Sequence, residues 1–532
     1  MSIRTLCTFL GALALGACAT SPNTIDHEID SAEVVVPAAE EAIEAEELVC
    51  SVDELIAAEE LAVGPGDLWV RIREGFALKS VENEEIMAQL RWYAAHQSYL
   101  DRVATRAMPY MHLIVEAIEE RGMPMEIALL PIVESAFDPF AYSHGRAAGL
   151  WQFIPGTGKR FKLKQNWWYD GRRDVTEATR AALDYLEYLH GEFDDWQLAL
   201  AAYNSGEGNV GRAIRYNKAR NLPVDFWNLR LPKETSAYVP KLLALKLLVE
   251  HPERYGVSWR PIADEPYLAG VDVGRQIDLA LAAELAGMDI EQVYLLNPAF
   301  NRWATDPEGP HTLLLPLENV ESFQTALAEL GESDTVRWQR HRIRTGESLL
   351  SIAGRYNTTV DLIREINGIR GNLIRAGDTL TVPVAMKSLN GYALTADNRL
   401  DSKQSVARNG TRVDHRVASG ESFWSISRSY GVGIRELAAW NNMAPTDPLR
   451  VGQKLAVWTS RPATAMTASM GPAERVRTIT YTVRRGDSLA RIASKFGVGV
   501  SDITRWNNIS TKSYLQPGQR LTLRVDVTNQ ST

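Results

Sequence analysis

The chain has 532 residues, too many for one ordinary hydrophobic core, so several domains are expected. Its composition, 45% hydrophobic and 23% charged, is that of a soluble globular protein. The net charge of −9 is unevenly spread: residues 1–70 hold fourteen acidic residues and one basic residue, Arg4, leaving 56 Lys+Arg against 52 Asp+Glu, or +4, for the rest. With a nearly neutral body and no basic stripe, no nucleic-acid partner is expected.

The N-terminus, MSIRTLCTFLGALALGAC, places Arg4 before a short apolar run and then small residues. This predicts a signal peptide over 1–17, too short for an ordinary membrane span. Leu15-Gly16-Ala17-Cys18 resembles the bacterial lipobox, which implies cleavage before Cys18, lipidation there, and anchoring to a membrane. Ala19, in place of Asp, implies sorting to the outer membrane of a Gram-negative cell, facing the periplasm. Cys7 would leave with the signal and Cys18 would be lipidated. Cys50 would then stand alone, and no intramolecular disulfide can form in the mature chain. Residues 18–65 are rich in Glu and Ala and predict a mostly disordered acidic tether, with a transient helix near Ala38–Leu61.

From 66 to 260 the pattern is helical and strand candidates are few, predicting a compact all-α domain. EEIMAQLRWYAAHQSYLDRVATRAMPYMHLIVEAIEERG reads as one amphipathic helix that Gly122 ends. Met123-Pro124 opens the next, MEIALLPIVES, which leads to Glu134. TEATRAALDYLEYLHGEF, WQLALAAYNSG and ETSAYVPKLLALKLLVE are three more.

The C-terminal part repeats. HRIRTGESLLSIAGRYNTTVDLIREING starts at His341, HRVASGESFWSISRSYGVGIRELAAWNN at His415 and YTVRRGDSLARIASKFGVGVSDITRWNN at Tyr481. Gly346, Gly420 and Gly486 match. So do Ser348, Ser422 and Ser488; Ile352, Ile426 and Ile492; and Asn367, Asn441 and Asn507. The pattern predicts strand, Ser-capped helix, second helix, strand. It resembles the LysM family, which implies glycan binding in a groove beside the first helix. The units are 340–384, 414–458 and 480–525. The links between them, such as TSRPATAMTASMGPAER, are expected to be flexible. A degenerate fourth unit is expected over 261–336, packed on the helical domain. At a shift of 70 residues Val273 falls on Ile343, Asp278 on Ser348 and Asn297 on Asn367, while Gln276 replaces the Gly.

Glu134 follows the apolar run ALLPIV, an unusual place for a carboxylate unless something compensates it. Around it stand Ser135, the sequence Ser143-His144-Gly145, GLWQFIPGTG over 149–158 and AAYNSGEGNV over 201–210. The ordered set resembles the lysozyme-like soluble-transglycosylase family of lytic transglycosylases. Within it the resemblance is to the membrane-bound murein transglycosylase D group, which joins such a domain to LysM repeats. It departs at Trp151, where many relatives have Met, a change expected in the groove wall. The resemblance implies an α+β multidomain chain with a lysozyme-like all-α catalytic domain followed by small βααβ LysM units.

It also implies roles. Glu134 would be the sole acid/base. Ser135, Ser143 and Gln152 would contact substrate. Tyr203 and Asn204 would hold the Glu and the sugar, with the Tyr203 hydroxyl near the carboxylate, and Tyr238 in SAYVPK is a further candidate. The physical logic is that of the acid in lysozyme: burial raises a carboxyl's pKa so that it holds a proton at neutral pH. Leu129, Leu130, Ile132 and Val133 would supply the apolar surroundings.

Most glycosidases carry a second carboxylate. Asp138 is nearest but sits before a Pro, where Asp organises turns. The family supplies none, so the implied route is non-hydrolytic cleavage between N-acetylmuramic acid and N-acetylglucosamine, closing a 1,6-anhydro ring. The partner would be peptidoglycan. The alternatives are a muramidase that uses water and a non-catalytic wall-binding scaffold. QNWWYDGRRD, 165–174, reads equally as sugar-stacking surface or ordinary packing. The nine His residues are scattered with no paired spacing, so neither a metal nor another cofactor is expected.

Overall fold

The computed structural model describes residues 66–460 apart from 80, 332 and 333, and residues 476–526 apart from 484–486, 497, 508, 511–514 and 517. The signal, Cys18, the acidic tether and most of the link TSRPATAMTASMGPAER lie outside the described residues.

The first domain is a helical layer around one core. Its helices are α1 (Leu68–Glu74), α2 (Glu84–Ala94), α3 (Gln97–Glu119), α4 (Leu130–Ser135), α5 (Pro155–Arg160), α6 (Val175–Phe193), α7 (Trp196–Ser205), α8 (Glu207–Lys218) and α9 (Lys233–Glu250). The caps follow the sequence: Asp174 accepts from the Glu177 amide, and Asp195 from the Leu198 amide. Two expectations need correction. The long helix before Gly122 is two, α2 and α3, because the chain breaks at Ala95–His96, where His96 Nδ1 meets the Trp92 carbonyl oxygen at 2.6 Å. The segment after Pro124 starts as a 3-10 turn, Met125–Leu129, before it continues as α4.

Buried Glu126 lies in that turn. Its carboxylate accepts from the amides of Ala77 and Leu78 and lies 3.7 Å from the Lys246 ammonium. The same segment thus contains a buried carboxylate whose partners are all structural.

Each later unit is a helix pair closed by a two-stranded antiparallel sheet. The first is β1 (Leu268–Asp272), α10 (Leu279–Ala286), α11 (Ile290–Leu296) and β2 (Thr312–Pro316), followed by α12 (Leu317–Glu329). Next come β3 (Arg337–Arg342), α13 (Leu349–Arg355), α14 (Val360–Ile366) and β4 (Thr379–Val384). After a further helix, α15 (Ala396–Ser405), follow β5 (Thr411–Arg416), α16 (Phe423–Tyr430), α17 (Ile434–Trp440) and β6 (Lys454–Thr459). The last unit is β7 (Val476–Thr482), α18 (Leu489–Phe496), α19 (Val500–Asn507) and β8 (Arg520–Asp526).

The shared residues have shared work. Ser348 and Ser422 cap α13 and α16, and Asp278 caps α10. Ile352, Ile426 and Ile492 fill the small cores. Each Asn pins the second helix to the closing strand: Asn367 Nδ2 donates to the Ile363 and Thr381 carbonyls while its Oδ1 accepts from the Thr381 amide. Asn297, Asn441 and Asn507 repeat that bonding on Leu314, Ala456 and Thr522. In the degenerate unit the left-handed glycine is not lost but displaced: Gly274, with φ of +71°, takes that conformation two residues before Gln276.

The degenerate unit packs on the helical domain. Tyr110 on α3 donates to the Leu295 carbonyl at 2.7 Å, and the Asp170 amide to the Ala299 carbonyl at 2.8 Å. Trp168 lies edge-on to Trp303, and Tyr169 packs on Phe300. Within QNWWYDGRRD, Trp168 and Tyr169 are therefore packing, buried in this junction, while Trp167 is half-buried beside the Arg302 guanidinium.

The link between the first two full repeats is not flexible, contrary to expectation. Buried Tyr392 donates to Asp278 on the degenerate unit, Arg399 lies 4.2 Å over the Phe140 ring, and Gln404 donates to Asn441 of the second repeat. That repeat meets the helical domain through Asp447, which accepts from the Tyr142 hydroxyl at 3.2 Å and lies 2.6 Å from Arg146 Nε.

Candidate active site

Glu134 sits in the last turn of α4. Leu129, Leu130, Ile132 and Val133 before it are all buried. Immediately after the helix, Ala136 (φ +51°) and Phe137 (φ +57°) are both left-handed, a conformation that costs about 1–2 kcal/mol per L-residue. Phe137 is fully buried, and its burial offsets that cost. The reversal ends the helix one residue after Glu134.

The contrast with Glu126 is informative. Among the described residues Glu134 has one hydrogen-bond partner, Tyr238 on α9, whose hydroxyl donates to Oε1 at 2.5 Å. Burial pushes the Glu134 carboxyl up to about 7; the Tyr238 hydrogen bond and Lys241 pull it down, and the neighbouring charge of Glu234 pushes it up. At neutral pH the group is thus poised between acid and base.

The loops between α4 and α6 are braced by buried polar contacts. Asp170 holds Arg172 in a two-pronged ion pair, and Arg172 donates to the carbonyls of Arg146 and Phe153. Burial alone would raise the Asp170 carboxyl, but Arg173 and Arg172 outweigh it and keep it low. Gly149 is required here: its φ is +80°, and a Cβ would fall 2.1 Å from the Arg172 carbonyl oxygen.

Ser135 lies beside Glu134, but its hydroxyl donates to the Pro131 and Leu150 carbonyls, so it ties α4 to the GLWQ loop. Ser143 Oγ accepts from the Gly145 and Ala147 amides and shapes its own turn. Gln152, left-handed at φ +48°, donates Nε2–H to the Gly149 carbonyl at 2.8 Å. Asn204 is joined to α9: its Oδ1 accepts from Thr235 at 2.8 Å and its Nδ2 approaches Glu234 at 3.5 Å. Asp138 accepts from the Phe140 amide, organising a turn.

One expectation is refined and one corrected. The Tyr203 hydroxyl is near enough to feel the Glu134 charge, and burial together with that charge pushes its pKa up. It donates, however, to the Trp151 carbonyl at 2.8 Å, and the hydroxyl bonded to the carboxylate is that of Tyr238. Trp151 is not groove wall. It is fully buried in the core, its indole N–H bonded to Thr179.

Sequence reasoning missed Glu234 and Lys241. Their signal was the spacing Glu234, Tyr238, Lys241, which puts all three on one face of a helix. Among the described residues, no group of three or more His, Cys, Asp or Glu side chains gathers to hold a metal.

The Transglycosylase SLT domain model matches residues 112–224, and the model of the lytic transglycosylase MltD LysM-like domain matches 267–332. The LysM domain model matches 341–383, 415–458 and 481–524. Membrane-bound lytic murein transglycosylase D of Escherichia coli K12 is 36% identical over 404 residues, covering 74% of this chain and 86% of that one. The chain belongs to the lytic murein transglycosylase D family.

As a family member it is a peptidoglycan lytic transglycosylase with peptidoglycan-binding LysM repeats. The autolysin of Enterococcus faecalis is 30% identical over 195 residues, covering 36% of this chain and 25% of that one. A crystal structure of an inactive mutant of the lytic transglycosylase Slt from Pseudomonas aeruginosa aligns with 37% of this chain and 35% of that chain, at 24% identity and a TM-score of 0.23.

Proposed function

We propose that Glu134 is the single acid and base of a non-hydrolytic cleavage of the bond between N-acetylmuramic acid and N-acetylglucosamine. The observation that carries this is its placement: a carboxyl raised to about 7, with one hydrogen bond and no ion-pair partner among the described residues.

The protonated carboxyl gives its proton to the bridging oxygen, and the bond from that oxygen to C1 of the muramic residue breaks. The substrate's N-acetyl oxygen stabilises the cation at C1. Glu134, now a carboxylate, takes the proton of the C6 hydroxyl as O6 bonds to C1. The 1,6-anhydro ring closes, the carboxyl is protonated again, and no water enters. With Oε1 held by Tyr238, Oε2 is left to carry the moving proton. The hydrogen bond also steadies the carboxylate at mid-reaction. In this reading Ser143, Gln152, Tyr203 and Asn204 shape the substrate groove, mostly by fixing backbone, and Ser135 positions α4.

Cys18 would anchor the mature chain by its lipid to the outer membrane, facing the periplasm, with the acidic tether giving reach. The support is the lipobox-like sequence and the membrane-bound relative. The LysM repeats would hold the enzyme on its polymer and raise the local substrate concentration.

Clearing of purified sacculi tests the reaction. The wild type lowers their turbidity and Glu134→Gln, shown folded by circular dichroism, does not. Equal clearing by both would remove Glu134 from the mechanism. Metabolic labelling with palmitate, lost in Cys18→Ala, tests the anchor.

A further inference from the structure

A cavity of about 300 Å³ opens on the helical domain, lined by Asn209, Arg212, Ala213, Tyr216, Arg230 and Pro232. It lies between α8 and the start of α9. Its surroundings are cationic: residues 207–234 hold six basic and three acidic residues. The acids are engaged elsewhere, Glu207 by Arg160 and Tyr185, Asp225 by Asn228 and Glu234 toward Asn204. Among the described residues no carboxylate pairs with Arg212, Arg220 or Arg230. Arg212 donates to Asn209 Oδ1, and Tyr216 lies between Arg220, 3.6 Å from its ring centre, and Arg230, 5.9 Å from it. Elsewhere on this domain arginines at surface positions meet acids, as Arg71, Arg121 and Arg180 do. A concave site lined by two guanidinium groups with no counter-charge is suited to an anion.

The position indicates which anion. Pro232 is six residues before Tyr238, about 9 Å along a helix. Glu234 and Thr235, between them, hold Asn204. The substrate's muramic residue, next to the bond that breaks, carries a peptide stem with free carboxylates. Two or three extended residues span about 7–10 Å.

We infer that this cavity is a stem-peptide subsite, in which Arg212 and Arg230 bind carboxylates of the peptide on the muramic residue at the cleavage point. The inference rests on the transglycosylase reading and adds to it a preference for peptide-bearing over bare glycan.

The test uses the full chain, as wild type and as Arg212→Gln, Arg230→Gln and the pair. Release of 1,6-anhydro ends is measured on intact glycan strands and on strands stripped of their stems by an amidase. Wild type favours the stem-bearing strands by about tenfold or more in kcat/KM, as expected for charged hydrogen bonds to a carboxylate. The double variant brings that ratio to about one, and roughly 0.5 M salt narrows it in the wild type. An unchanged ratio overturns the inference. So does an unchanged ratio joined to lost capture by phosphatidylglycerol vesicles, which makes the patch a membrane contact. Absence of anhydro ends from both substrates with wild type removes the transglycosylase reading and this one with it.

Discussion

Removing the Tyr238 hydroxyl isolates the hydrogen bond that sets the acidity of Glu134. Tyr238→Phe keeps the buried ring and deletes a 2.5 Å contact to the carboxylate. A hydrogen bond to a charged group contributes about 1.5–3 kcal/mol, or about one to two pH units in a pKa. The bond favours the ionised form, so its loss raises the Glu134 pKa above its value of about 7. The first step needs the protonated acid, so the rate falls as pH rises through that pKa. In Tyr238→Phe the alkaline limb of kcat moves from near pH 7 to about 8–9. The maximum rate drops, because the carboxylate formed at mid-reaction has lost its donor. The assay is the initial rate of anhydro-end release between about pH 5 and 10, bracketing both limbs, with a thermal melt to show the fold intact. An alkaline limb that stays in place, or moves to lower pH, would refute the assignment of Tyr238 as the residue that tunes the acid.

Three further outcomes follow from the same geometry. The Glu134 carboxyl has a folded pKa above its unfolded value, so the unfolded chain releases the proton first and stability is lost as pH rises from about 4.5 to 7. In Glu134→Gln that loss disappears, so its stability relative to wild type grows between about pH 4.5 and 7, on the order of 1–3 kcal/mol after allowing for the partial exposure of Glu134. Gly149→Ala forces a Cβ against the Arg172 carbonyl oxygen at a left-handed position; destabilisation of about 3 kcal/mol or more, read by denaturant titration, accompanies loss of activity. Asp447→Arg separates the second LysM repeat from Tyr142 and Arg146. Limited proteolysis then cuts between 385 and 410, and the double reversal with Arg146→Asp restores protection.

Much of the fold was legible in the sequence because local rules and tertiary structure agree. The repeats could be aligned on Ser348, Ile352 and Asn367 since each residue does the same work in every unit, as cap, as core filler, or as clamp between helix and strand. The Asn clamp even exposes the degenerate unit, where Asn297 keeps the bonds although the glycine has moved. Glu134 stood out because a carboxylate after ALLPIV contradicts the apolar pattern.

What was not legible depends on distant partners. Tyr203 and Tyr238 are alike in sequence, and only the approach of α9 to α4 decides which hydroxyl meets the carboxylate. Trp151 points inward because Thr179 on α6 accepts its N–H. The link after the first full repeat reads as polar and loose, yet Tyr392 finds Asp278 more than a hundred residues earlier and orders it. The break at Ala95–His96 carries no Gly or Pro to announce it.

Whether Glu134 works alone and without water is tested most directly by mass spectrometry of released muropeptides. The full chain, as wild type and as Glu134→Gln, acts on purified peptidoglycan in water enriched in oxygen-18. The expected result is 1,6-anhydro muramic ends with no heavy oxygen from the wild type and no release from the variant. Reducing ends carrying oxygen-18 would contradict this and make the protein a water-using muramidase.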